Sequence, residues 1–204
     1  FDPGIPLRDG RFLYALVENG VQVIDAAWPL GEGQITIDPF TWAYSAAENQ
    51  VILRVSGVEV GEFLKDFGEG RLSATGTLEG RIPVIVRGIE VLVQGGRLDV
   101  PGGGLIRYRG DDALIEKIPN QYAADAIKAL EDFKYDSLFA EIDGPLGGEI
   151  KVGLAFTGNN KDVLFGVPFA FDMSVEGELF NIARSFNTNA TIKSQIGSNF
   201  RLSE

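Results

Sequence analysis

Carboxylates are the plausible acid–base side chains of this sequence. Its 204 residues include no His and no Cys. Without them no Ser-His-Asp or Cys-His nucleophile can be built. Zinc, haem and iron–sulfur sites lose their usual ligands as well. Asp111 and Asp112 follow Gly110, with Glu116 close by. A calcium loop needs oxygen ligands at alternating positions around a conformational glycine. That pattern is absent, so the stretch reads as a solvated turn leading to a helix. A glycosidase needs two carboxyls about 5–10 Å apart across a cleft. Among 29 acidic residues a chance pair is expected, and nothing local marks one. Gly102-Gly103-Gly104 does not fit a phosphate-cradling loop, and Asn189-Ala190-Thr191 fits only the short glycosylation sequon. The expectation is a protein that is not an enzyme, with no cofactor and no metal. The net charge of −11 also argues against nucleic acid as a partner, which wants a basic patch.

The elements that would position any site are mostly strands. A phrase of glycine, polar residue and large apolar residue recurs. It stands at Gly10-Arg11-Phe12, Gly33-Gln34-Ile35, Gly70-Arg71-Leu72, Gly80-Arg81-Ile82, Gly96-Arg97-Leu98 and Gly148-Glu149-Ile150. Residues then alternate: Leu72, Ala74, Gly76, Leu78; Ile82, Val84, Val86; Ile89, Val91, Val93; Ile150, Val152, Leu154, Phe156; Val167, Phe169, Phe171, Met173, Val175. Period two predicts strands with one wet and one dry face. The recurring glycines are expected at turns, which suggests an antiparallel meander.

Three segments follow the helical period instead. They are Val60, Phe63, Leu64, Phe67; Leu179, Ile182, Ala183, Phe186; and a longer one after Pro119 with a stripe of Ala123, Ala126, Ile127, Leu130 and Phe133. No linker divides the chain. Residues 1–186 read as a single domain and 187–204 as a polar tail, either a last strand or disordered. No apolar run approaches the roughly 18–20 residues of a membrane helix. The start at Phe1, without Met or leader, reads as a piece of a longer protein.

The 14 Phe include several on strand faces. They either fill the core of a sandwich or barrel, or line a trough formed by one curled sheet. Few and short helices favour the trough, because a dry face left uncovered must meet something apolar.

Several ordered blocks carry a family resemblance. They include Pro3-Gly4-Ile5-Pro6-Leu7-Arg8-Asp9-Gly10-Arg11-Phe12, Asp25-Ala26-Ala27-Trp28-Pro29, the run from Leu72 to Val84, Gly96-Arg97-Leu98 and the run from Ala129 to Leu138. Residues 1–186 resemble the C-terminal region of YdbH-type, AsmA-like envelope proteins. The resemblance implies a mainly β fold: a long curled antiparallel sheet, trough- or taco-like, with three short amphipathic helices. It implies intermembrane phospholipid transport across the Gram-negative periplasm, acyl chains being carried along an apolar groove. It also implies a periplasmic part of an inner-membrane-anchored protein that reaches toward the outer membrane. The implied partners are phospholipid and a small outer-membrane lipoprotein joined by strand addition. A structural or adaptor module acting through that edge is the alternative, and an exposed edge also suggests self-association. An older family label, dicarboxylate transport, attaches to the same region. A dicarboxylate wants cationic or amide donors, a poor match to a chain at −11.

By strand parity the candidate lipid-binding residues are Tyr14, Leu16, Leu78, Val84, Val86, Val91, Val93, Leu154, Phe156, Phe169, Phe171 and Met173. A one-residue bulge would invert part of this set. Arg11, Arg71, Arg81 and Arg97, just after glycines, are either headgroup contacts or solvated strand starts.

Overall fold

A computed structural model describes residues 9–64, 72–109 and 120–178. Among them, twelve strands form one antiparallel sheet. They are β1 (Arg11–Val17), β2 (Gly20–Leu30), β3 (Gly33–Ile37), β4 (Phe40–Ala43), β5 (Asn49–Glu59), β6 (Leu72–Ala74), β7 (Thr77–Arg87), β8 (Glu90–Asp99), β9 (Gly104–Tyr108), β10 (Phe133–Pro145), β11 (Glu149–Asn159) and β12 (Phe169–Glu178). The main path runs β1-β2-β3-β5-β7-β8-β10-β11-β12, nearly in chain order, as the meander reading expects. β4 pairs with β2, while β6 and β9 branch from β10. The path is open at β1 and β12, so the sheet is not closed into a barrel.

The helical expectation is met in part. The first segment forms only the five-residue α1 (Val60–Leu64), and Phe67 lies outside the described residues. The segment from Leu179 to Phe186 and the tail 187–204 lie outside them too. Among the described residues one substantial helix stands, α2 (Gln121–Ala129), with Asn120 as its N-cap. The Asn120 side chain accepts hydrogen bonds from the Tyr122 and Ala123 N–H groups at 2.9 and 3.4 Å. Ala123, Ala126 and Ala129 face the core, but the expected stripe stops early. A 3₁₀ turn at Leu130–Asp132 ends the helix, and Phe133 begins β10. There the backbone finds ladder partners on two sides, in β9 and β11.

Two of the recurring glycines also differ from expectation. Gly80 and Gly96 sit inside β7 and β8, not in turns. A side chain at Gly80 would run into the Arg97 carbonyl and Leu98, so a bare backbone lets β8 approach. The run from Leu72 to Leu78 is cut in two at Gly76, whose φ of +123° suits glycine alone. The Tyr135 hydroxyl fills the space a side chain would need there, and donates to the Thr75 carbonyl at 2.5 Å.

Register shifts interrupt the β1/β2, β5/β7, β7/β8, β8/β10 and β10/β11 pairings. Each such irregularity bends a strand and adds twist. Buried polar side chains tie down the rims. Asn49 exchanges two hydrogen bonds with the Ala43 backbone, at 2.8 and 3.2 Å. Among the described residues no buried side-chain nitrogen or oxygen lacks a partner.

Candidate functional site

The strand register separates two chemistries one residue apart. Direct partners link Trp28, Ile35, Val55, Gly80, Leu98, Ala140, Leu154 and Met173 into one row across eight strands. Every side chain in it is apolar or absent. The adjacent row on the opposite face reads Ala27, Thr36, Arg54, Arg81, Arg97, Glu141, Gly153 and Ser174. Alternation along each strand therefore adds up to one dry and one wet face for the whole sheet.

All the candidate lining residues fall on the dry face, because in no strand do the candidates span an extra residue: Val91 and Val93 both lie on the same side of the shift in β8. Tyr14 pairs with Val23, and Val23 with Phe40. Leu16 pairs with Val21, Val84 with Val93, Val86 with Val91, Phe156 with Phe171, and Phe169 with Gly158. Their depth divides them. Leu78, Phe156 and Phe171 are buried in one cluster with Phe133, Tyr135 and the alanines of α2. Rings of Phe133, Phe156 and Phe171 lie with centroids 4.7–5.7 Å apart, so these three candidates are placed in closed core. Val84 and Val93 belong to a second cluster with Val51 and Ile150, bordered by the half-buried Val86 and Val91. Leu154 and Phe169 are half-buried beside the first cluster. Tyr14, Leu16 and Met173 stand 54%, 76% and 40% exposed. Phe12, Trp28, Ile35, Leu53 and Ile82 share this face but are not among the candidate residues. The alternation of Val51, Leu53 and Val55 carried the signal for that strand.

The arginines answer differently. Arg11, Arg81 and Arg97 lie on the wet face, away from the apolar lining. Arg71 is outside the described residues. Arg11 holds Asp25, and Arg54 holds Asp38 through both carboxylate oxygens. Arg97 bonds Asp99 at 2.8 Å and Glu141 at 3.3 Å, and its guanidinium lies 4.2 Å from the Phe139 ring centre. The hydrogen bonds from Arg11 and Arg54 push the Asp25 and Asp38 carboxyls below their usual range. That direction is opposite to what a general acid needs. Burial, aided by Glu59, pushes the Tyr135 phenol up to about 12. Asp111, Asp112 and Glu116 lie outside the described residues. Among the described residues no group of acidic side chains could hold a metal ion. No described helix is long and apolar enough to cross a membrane.

No curated protein and no solved structure matches the chain significantly. One family does match, described as "YdbH-like: Intermembrane phospholipid transport protein YdbH", over residues 1–198. With nearly the whole chain covered, this protein belongs to the YdbH-like family, a family of phospholipid transporters of the cell envelope and not of enzymes.

Proposed function

We propose that this chain carries phospholipid by sheathing acyl chains along the dry face of its sheet while headgroups stay in water. The apolar row from Trp28 to Met173 is the observation that carries the reading. Bending at the register shifts makes the face the inside of a trough, which accounts for buried Val84 and Val93 without a second sheet above them. Removing one CH₂ from water is worth roughly 0.8 kcal/mol, so two acyl chains supply ample binding without a polar anchor. Tyr14, Leu16, Val86, Val91, Leu154, Phe169 and Met173 are the accessible lining, and Leu78, Phe156 and Phe171 act as its floor. Residues 1–186 work as one groove-forming domain, in the periplasm, as part of a longer protein anchored in the inner membrane. Native mass spectrometry of gently purified protein tests this. Phospholipid adducts are expected, and protein that never carries any would end the reading.

A second role is favoured by β1. Its Phe12, Leu13, Tyr14, Leu16 and Val17 are exposed on both faces. Among the described residues it has a strand partner on one side only. Such an edge suits strand addition, by a small outer-membrane lipoprotein or a second copy of the chain. Leu13→Lys should abolish capture while leaving the circular dichroism unchanged. A dicarboxylate ligand gains no support, since Arg11, Arg54 and Arg97 are already held by protein carboxylates.

A further inference from the structure

The loop between β11 and β12 combines a rigid base with a costly, exposed tip. Asn160 and Val163 at its base are both 6% exposed. The Asn160 side chain donates to the Ala129 carbonyl at the end of α2, at 3.1 Å, and accepts the Asp162 N–H at 3.0 Å. Val163 packs into the cluster around Phe133 and Phe156. The chain then turns through three successive left-handed residues, Leu164 (φ 48°), Phe165 (φ 58°) and Gly166 (φ 79°). Bulky side chains disfavour that backbone, and strain of this kind concentrates where function requires it. The turn is locked by the Gly166 N–H to the Val163 carbonyl at 3.0 Å. Its result is to hold Phe165 fully in solvent (102%), flanked by Leu164 at 39% and Val167 at 44%. The strand that follows enters the dry face directly, at Phe169 and Phe171.

We propose that the 164–167 tip inserts into the interfacial layer of a lipid bilayer, holding the sheet against the membrane with which it exchanges phospholipid. The inference rests on the carrier reading and adds the surface that serves it. A protein partner would need about 800 Å² of matched surface, far more than a convex tip of four residues offers. A bilayer interface accepts a lone aromatic with aliphatic neighbours. The exposed Lys161 beside the tip keeps its charge at headgroup level.

The chain's lack of Cys makes the test clean. Phe165→Cys is labelled with a polarity-sensitive fluorophore, as is Ile89→Cys at the tip of the β7/β8 turn, where Ile89 is equally exposed (101%). The probe is vesicles of phosphatidylethanolamine with a minor share of phosphatidylglycerol. Residue 165 should shift to the blue, brighten about twofold or more, and lose iodide quenching, while residue 89 stays unchanged. Phe165→Asp should reduce vesicle flotation about fivefold or more with an unaltered melting curve. A probe at 165 that remains in water, both probes responding alike, or a photo-reactive residue at 165 that captures a protein and no lipid would each overturn the proposal. Bound phospholipid is measured on the same samples. Lipid present with 165 in water sinks the tip alone; 165 inserted with no lipid ever bound sustains the tip and sinks the carrier reading.

Discussion

The dry face has two ends built from the same alternation and used differently. At the α2 end, Phe133, Phe156 and Phe171 interlock beneath the alanines of the helix, and the face is closed. Toward the β7/β8 turn, Val51, Val84, Val93 and Ile150 are also buried, but among the described residues no helical side chain joins their cluster, which is bordered by half-buried Val86, Val91 and Phe40. Aromatic rings that pack on each other fill space and exclude a guest. A pavement of β-branched side chains leaves a smooth apolar surface that a flexible chain can slide along. The α2 end therefore supplies stability, and on the proposed carrier reading the other end supplies the surface for cargo.

Truncation should separate these two contributions. Phe133→Ala removes the centre of the aromatic cluster and should cost about 3–5 kcal/mol of stability, read as a fall in the urea midpoint. A loss no larger than at an exposed site would mean that the α2 end is not the core. Alkali should act on the same end. The Tyr135 phenol has its folded-state pKa raised from 10 to about 12. Its contribution is complete below about pH 10 and is lost as pH climbs through 12, about 3 kcal/mol in all. Stability measured across that window should fall, and Tyr135→Phe should flatten this part of the profile.

Alternation along the chain made the face legible and left its depth hidden. Phe156 and Phe169 follow the same period-two rule, yet one lies at 4% exposure and the other is half-buried. Phe156 lies between the rings of Phe133 and Phe171, whereas Phe169 meets Phe171 alone among the described rings. Phe133 reads as helical from its spacing, three residues after Leu130 on a helix face. Pairing with β9 and β11 overrides that local signal. Gly80 and Gly96 read as turns because glycine serves two purposes, and only the neighbouring strand reveals close approach. The resemblance of the blocks from Pro3 to Leu138 identifies the family where no single motif does.

At the β7/β8 end the expected effects on folding are smaller and the effects on cargo larger. Val91→Ala should cost about 1 kcal/mol or less, yet reduce the phospholipid recovered with the protein. An equal loss at Phe133→Ala, after correction for folded fraction, would erase the distinction between the ends. The smallest effect belongs to the wet face. Asp38→Asn removes an exposed pair with Arg54 and should leave lipid content unchanged. Its stabilising share is present above the usual carboxylate range and fades as pH falls through the lowered Asp38 value.

Neighbouring residues on opposite faces test the central claim most directly. Met173 closes the apolar row, and Ser174 closes the polar one beside it. A photo-reactive amino acid placed at each position, in turn, and illuminated in cells should capture phospholipid from 173 and none from 174. Equal capture at both positions, or lipid at 174 alone, would contradict the account.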